Sequence, residues 1–388
     1  METLKWKGES THTPPYRYIT SSEDLAALAR HVAGESLVAV DTEAASFHRY
    51  VDRIYLIQLS TRNETAIIDP LTVGDVGPLG DILSDPAVEI IFHDADYDLR
   101  TLDRDYGVRA RHLFDTRIAA QLLGEPAIGL AALLEKYLHV TLNKKYQRAD
   151  WSRRPLTSEM LDYAAMDTRY LPPLRDELRR QLEELGRLTW ALEEFARLES
   201  LRYTATSANG DSYLRIKGAR ALSRRGLALL RELAHWRDAV AAELDRASFR
   251  VMPNEALLAL AASPPASRDV LKAVPGVSPK LVDQRADELF DALGRGQSLP
   301  ERDLPKFPRG ERRTSDPAFD KRVEHFKAVR NAAAERLKLD PGVLCPRGTL
   351  EAVALARPTS LSDLAKVPDI RKWQIEVLGM DFLKALGN

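Results

Sequence analysis

Asp41-Thr42-Glu43 closes the apolar run that begins at Ser36. Alternate residues of an extended chain face the same side, so Asp41 and Glu43 can aim two carboxylates at one point. Such a pair suits a divalent cation, and it equally suits a polar turn after an edge strand. A second acidic cluster, His93-Asp94-Ala95-Asp96-Tyr97-Asp98-Leu99, follows the apolar run from Val88 to Phe92. Its acids repel one another unless something positive compensates. Asp94 or Asp96 can cap a helix N-terminus, where acids are favourable. A third acid, Asp98, exceeds what capping needs. A third signal is Tyr163-Ala164-Ala165-Met166-Asp167. Positions i and i+4 share a helix face, so a phenol and a carboxylate project together beside small residues that allow close packing. Alone, that pair reads as a solvated acid beside a half-buried tyrosine. His93 reads as a structural strand-end histidine, and Asp115 as a cap for the helix after it.

Strands and helices must bring these groups together. Ser36–Asp41, Arg53–Ser60, Thr65–Asp69 and Val88–Phe92 read as strands, with Asn63-Glu64 as a hairpin turn between two of them. Tyr97–Tyr106, Thr116–Leu123, Leu130–Tyr137 and Ser158–Leu171 have helical period, with breakers at Gly107, Gly124 and Pro126. Strands followed by helices that pack on them indicate a mixed α/β domain ending near Arg197. Beyond it no strand is expected. Pro253, Leu257, Pro265, Ser267, Leu271, Val274 and Pro275 recur as Pro346, Leu350, Pro358, Ser360, Leu364, Val367 and Pro368. His235-Trp236-Arg237 has a counterpart in His325-Phe326-Lys327. Two copies of a small helical module fit this repeat. The proline-rich, charged stretch between them reads as a linker.

The order Asp-x-Glu, Asp, Tyr-x₃-Asp resembles the DEDD superfamily of 3′-to-5′ exonucleases, in its tyrosine-containing branch. Ile57-Gln58-Leu59-Ser60, Ile68-Asp69-Pro70, Phe114-Asp115-Thr116, Ala149-Asp150-Trp151 and Arg154-Pro155-Leu156 extend the likeness to the ribonuclease D family over about residues 16–200. The helical repeat resembles HRDC domains, and the second copy departs at Asp369, where the first has Gly276. The resemblance implies a ribonuclease H-like mixed sheet flanked by helices at 1–205. All-α HRDC domains at 214–297 and 318–388 would follow, with a linker at 298–317. It implies that Asp41, Glu43, Asp98 and Asp167 hold two divalent ions, Mg²⁺ or Mn²⁺. Asp98 is chosen because the family motif places its acid just before the Leu that opens the helix. Tyr163 would orient the attacking water. An ordinary phenol pKa of about 10 makes it a poor base at neutral pH. The implied reaction is hydrolysis of the last phosphodiester of RNA, releasing 5′-nucleoside monophosphates from tRNA precursors or other structured 3′ ends. A DNA-directed exonuclease and a catalytically dead RNA-binding adaptor are the alternatives.

Basic residues are unevenly placed. Lys144, Lys145 and Arg148 lie near Tyr146 and Trp151, a pattern suited to a single-stranded 3′ end, with Trp151 itself read as core. A second run includes Arg220, Arg224 and Arg225, opposed only by Glu232, and reads equally as RNA contact or solvated helix face.

The composition narrows the class. Lys plus Arg is 56 against 57 Asp plus Glu, a net charge of −1, which excludes a uniformly basic nucleic-acid coat. The lone Cys345 excludes an internal disulfide and a multi-cysteine zinc site. No Gly-x₄-Gly-Lys-[Ser/Thr] pattern supports a helicase. No membrane span or secretory signal is expected. The expectation is a cytoplasmic monomer.

Overall fold

The structure, a computed structural model, describes residues 16–204, 211–308 and 316–387. Among these residues six strands form one sheet: β1 (Tyr16–Ile19), β2 (Leu37–Ala44), β3 (Ile54–Ser60), β4 (Thr65–Ile68), β5 (Glu89–Phe92) and β6 (Leu113–Asp115). Their spatial order is β1-β4-β3-β2-β5-β6. β3 and β4 are antiparallel, with Ser60 opposite Thr65, as a hairpin turn at Asn63-Glu64 requires. β1 runs parallel to β4, and β5 parallel to both β2 and β6. All seven residues of β3 are buried, which suits a strand covered on both faces.

Among the described residues nine helices accompany the sheet: α1 (Ser22–Val32), α2 (Pro70–Val73), α3 (Gly77–Ser84), α4 (Asp96–Tyr106), α5 (Thr116–Leu123), α6 (Leu130–Leu138), α7 (Ser158–Arg169), α8 (Leu171–Glu184) and α9 (Leu188–Leu198). The run expected as one helix over Ser158–Leu171 breaks at Tyr170 (φ −97°, ψ 1°). Pro172 and Pro173 explain this. They cannot donate the hydrogen bonds of a continuing helix but fit the first turn of a new one. α7 buries Leu161, Ala164, Ala165 and Thr168, an i, i+3, i+4, i+7 stripe. Thr168 Oγ1 lies 2.7 Å from Ser60 Oγ, fixing α7 to β3.

The chain divides into two compact units. One comprises residues 1–43, 54–203 and 313–388. It therefore holds the six-stranded sheet together with the second helical copy: α15 (Pro317–Leu337), α16 (Pro341–Leu344), α17 (Arg347–Ala356), α18 (Leu361–Leu364) and α19 (Lys372–Leu386). Phe326, Leu350, Leu364 and Phe382 of that copy belong to the same apolar core as the sheet. Trp190 of α9 stacks on Trp373, with centroids 5.0 Å apart and planes at 18°. Arg187 donates to the carbonyls of both Leu122 and Leu337, at 2.7 Å each. Asp369, the residue that departs from glycine, keeps the left-handed backbone (φ 61°), which aspartate tolerates. Gly276 in the first copy has no such latitude, because a Cβ there would lie 2.7 Å from Pro253 Cγ.

The other unit comprises residues 44–53 and 204–312. Its core packs α10 (Arg224–Glu243), α12 (Asn254–Ala262) and α14 (Pro279–Ser298), with shorter helices α11 (Ser248–Val251) and α13 (Arg268–Lys272) between them. The segment that leaves β2 joins this unit. Tyr50 N–H and Arg49 both bond Asp245, the Ala247 N–H donates to the His48 carbonyl at 3.2 Å, and Phe47 meets Phe249 edge-on at 6.2 Å. Among the described residues from 204 onward there is no strand. Of the expected linker, residues 309–315 lie outside the described residues.

Candidate active site

Because β2 and β5 are parallel neighbours, with Ala39 beside Ile91, their carboxyl ends share one end of the sheet. Crevices at strand carboxyl ends are the usual ligand sites of such sheets. Asp41 and Glu43 lie on the end of β2, and the turn after β5 leads into α4 with Asp98 in its first turn. α7 presents Tyr163 and Asp167 one turn apart.

Carboxylate oxygens of Asp41, Glu43 and Asp167 all lie within 4.8 Å of one another. Asp98 is held beside them rather than among them. It is buried and accepts the Thr42 hydroxyl at 2.5 Å, with a further bond from the Thr42 backbone. The acidic triplet after β5 is thereby sorted. Asp94 pairs with Arg117, Asp96 pairs with Arg100, and only Asp98 turns inward. Asp115 accepts from the N–H groups of Arg117 and Ile118, capping α5, and from Ala95 N–H at the start of α4. His93 meets Thr116 Oγ1 at 2.9 Å. Burial and the Arg117 charge hold its imidazole neutral, with its pKa lowered to about 4. Both side chains are thus engaged in hydrogen bonds within the fold.

Crowded acids resist ionisation. Burial and the neighbouring Asp167 push Asp41 up to about 8. Burial pushes Asp167 up to about 7, against the opposing effect of its hydrogen bond with Tyr163. Glu43, raised by burial and by Asp41, Asp167 and Asp98, lies well above the usual range, as does Asp98. The Tyr163 phenol is likewise pushed up, by burial and then by Asp167, Glu43 and Asp41, so it stays protonated at neutral pH. A cluster of hard oxygen donors that pays this repulsion fits a divalent cation.

Tyr163 is flanked by two rings. Trp151, a core residue as expected, lies 6.0 Å away, and Tyr146 lies 6.1 Å away. The Lys145 ammonium sits 5.1 Å from the Tyr146 ring, and Lys144, Lys145 and Arg148 are exposed. The second basic run is arranged differently. Arg224 donates to the carbonyls of Glu301 and Leu304, and Arg225 to those of Gly296, Gln297 and Leu299. Arg220 lies 4.7 Å over the Phe307 ring. These side chains strap the segment after α14 onto α10, a use that neither RNA contact nor a solvated face anticipates. The sequence reasoning also missed Thr42. Its one signal was its place between two acids.

A family model described as a 3′-5′ exonuclease matches residues 16–183, and the HRDC domain model matches twice, at 226–293 and 319–386. Ribonuclease D of Granulibacter bethesdensis is 33% identical over 380 residues, covering 97% of this chain and 93% of that protein. The chain belongs to the ribonuclease D family. It is a hydrolytic 3′-5′ exoribonuclease with an RNA substrate. The crystal structure of Escherichia coli RNase D, described as an exoribonuclease involved in structured RNA processing, superposes with a TM-score of 0.70 at 30% identity. That match covers 96% of this chain and 99% of that one. The catalytic core of RRP6 from Trypanosoma brucei gives 0.65 at 32% identity over 75% of this chain and 83% of that one. The acidic cluster is consistent with divalent metal use in this family. Among the described residues no helix is long and apolar enough to cross a membrane.

Proposed function

We propose that this ribonuclease trims the 3′ ends of structured RNAs such as tRNA precursors, releasing 5′-nucleoside monophosphates. In this reading Asp41, Glu43, Asp98 and Asp167 hold two divalent cations, Mg²⁺ or Mn²⁺. The observation that carries it is the convergence of Asp41, Glu43 and Asp167 within 4.8 Å. Cations bound there would supply an activated water and charge neutralisation at the leaving oxygen.

The chain's own groups do the rest. Asp41 and Glu43 are fixed by the sheet, Asp167 by α7 and Asp98 by Thr42, so the ligand set is held before substrate arrives. Tyr163, protonated at neutral pH, acts as a hydrogen-bond donor and orients the water instead of deprotonating it. Lys144, Lys145 and Arg148 take the phosphates of the terminal nucleotides, and Tyr146 offers a stacking surface. Arg220, Arg224 and Arg225, which also hold the segment after α14, are a second proposed RNA-contact surface. The proposed organisation is a nuclease portion at 1–205 and modules at 214–297 and 318–388, joined through 298–317, in a monomer acting in the cytoplasm.

The deciding experiment incubates the protein with 3′-extended tRNA and with single-stranded DNA, in Mg²⁺, Mn²⁺ or EDTA. Metal-dependent release of mononucleotides from RNA alone is expected. Equal release from DNA would make it a DNA-directed enzyme, and release from neither would leave a catalytically dead adaptor. Asp41→Asn should abolish release while circular dichroism stays unchanged.

A further inference from the structure

Two motifs that play no part in the acidic cluster, Ile68-Asp69-Pro70 and Arg154-Pro155-Leu156, meet in the fold. Arg154 donates to Asp69 twice, from Nη2 to Oδ1 at 2.8 Å and from Nε to Oδ2 at 2.5 Å. Its other N–H groups reach the carbonyls of Tyr55 (2.9 Å), Trp151 (2.7 Å) and Arg153 (2.7 Å). A guanidinium has five N–H donors, and all five are used here. One side chain thus ties the end of β4 and the start of β3 to the loop between α6 and α7. Asp69 is fully buried. Burial alone would raise its pKa, but bonds from Arg154, Tyr18 and the Leu71 N–H outweigh it and hold the carboxyl below its usual range.

The loop meets the active site through Trp151. Its ring is fully buried, 6.0 Å from the Tyr163 ring at an interplanar angle of 34°. Its Nε1 makes no hydrogen bond. The ring is therefore placed by packing and by its own backbone, and Arg154 grips that backbone at the Trp151 carbonyl.

We propose that Asp69 and Arg154 form a positioning pair for Tyr163: acting through Trp151, they fix the phenol over the acidic cluster. Neither residue touches the reacting atoms. The proposal rests on the water-orienting role proposed for Tyr163. It also accounts for the use of arginine. A lysine can pair with Asp69, but it lacks the planar fork needed to hold the Tyr55, Trp151 and Arg153 carbonyls together.

The test is a double-mutant cycle in the full-length, metal-loaded enzyme, read as kcat and KM on 3′-extended RNA, with Tm recorded for each variant. Arg154→Lys should lower kcat about tenfold, as expected when a reacting group is misplaced slightly, and leave KM within about twofold. In the Tyr163→Phe background the same substitution should lower kcat by less than about twofold, because its route to the chemistry is gone. Additive losses, or a change confined to KM, would overturn the positioning role and leave Tyr163's own role intact. A Tyr163→Phe enzyme with undiminished kcat would overturn both readings. Should Arg154→Lys fold poorly, Trp151→Phe repeats the cycle with the Asp69–Arg154 pair intact, and the same two outcomes decide it.

Discussion

The Thr42 hydroxyl donates to Asp98 Oδ1 at 2.5 Å, linking the residue between two strand acids to the acid of a helix 56 positions further on. It ties α4 to β2 through their side chains. The bond favours the ionised form of Asp98 against burial and the Asp41 charge, both of which oppose ionisation. Thr42→Val keeps the shape and removes the donor. A hydrogen bond to a charged group contributes about 1.5–3 kcal/mol, so metal affinity should fall roughly 10- to 100-fold. The half-saturating Mg²⁺ or Mn²⁺ concentration for activity should rise accordingly, with kcat at saturating metal largely retained. An unchanged metal titration would place Asp98 outside the metal-holding set.

The raised acids also predict how stability follows pH. Asp41 and Asp167 go from an ordinary 3.8 to about 8 and about 7 on folding. The folded protein therefore binds more protons than the unfolded chain between about pH 4 and 8, and that contribution is lost as pH rises through this window. In EDTA, Tm should fall between pH 5 and pH 8. Saturating Mg²⁺ should flatten the dependence, and Asp41→Asn should raise Tm at pH 8 while reducing the slope. A flat profile in EDTA would mean that these carboxylates ionise as ordinary surface acids.

What the sequence made legible at this site is local. Asp41 and Glu43 follow from strand alternation, and Tyr163 with Asp167 from helical spacing. Choosing Asp98 over Asp94 and Asp96 needed the family motif, because the preference comes from Thr42, Arg117 and Arg100. Two of those three partners, Thr42 and Arg117, lie 56 and 23 positions from their acids, beyond any local pattern. Non-local structure was the part left out. β1 buries only Ile19 and β6 is three residues long, so neither shows the wholly buried apolar run that marks β4 and β5, and each exists through its neighbour in the sheet. Arg224 and Arg225 read as free charge because nothing in a basic run shows that the carbonyls of residues 296–304 await them. Asp69 and Arg154 were recognisable as motifs, but 85 positions separate them and their pairing was not.

The basic loop beside Tyr163 makes a prediction about binding rather than chemistry. Lys144, Lys145 and Arg148 are exposed, and Lys145 lies against the Tyr146 ring. Replacing all three by Gln removes their charge from the ground state and the transition state alike. KM for RNA should rise, kcat should change little, and the slope of log KM against log salt should become shallower by up to about one for each phosphate no longer neutralised. Parallel salt dependences for the variant and the parent enzyme would discard the loop as an RNA-binding surface.

The second helical copy should behave as part of the nuclease unit, because its docking surface is also its own helix start. Arg371 pairs with Glu194 at 3.0 Å. The backbone N–H groups of Lys372 and Trp373, the first of α19, donate to Glu193. Trp373 Nε1 donates to Glu194 at 2.9 Å while its ring stacks on Trp190. The acids of α9 thus satisfy N–H groups that α19 leaves open at its N-terminus, which favours negative charge there. Trp373→Ala removes the stacked ring and one of these bonds, a destabilisation of about 3–5 kcal/mol for a buried tryptophan. Denaturant unfolding followed through the nuclease core should shift to lower midpoint as a whole. Loss of α19 structure alone, with the sheet's midpoint unchanged, would show instead that the second copy folds and unfolds independently.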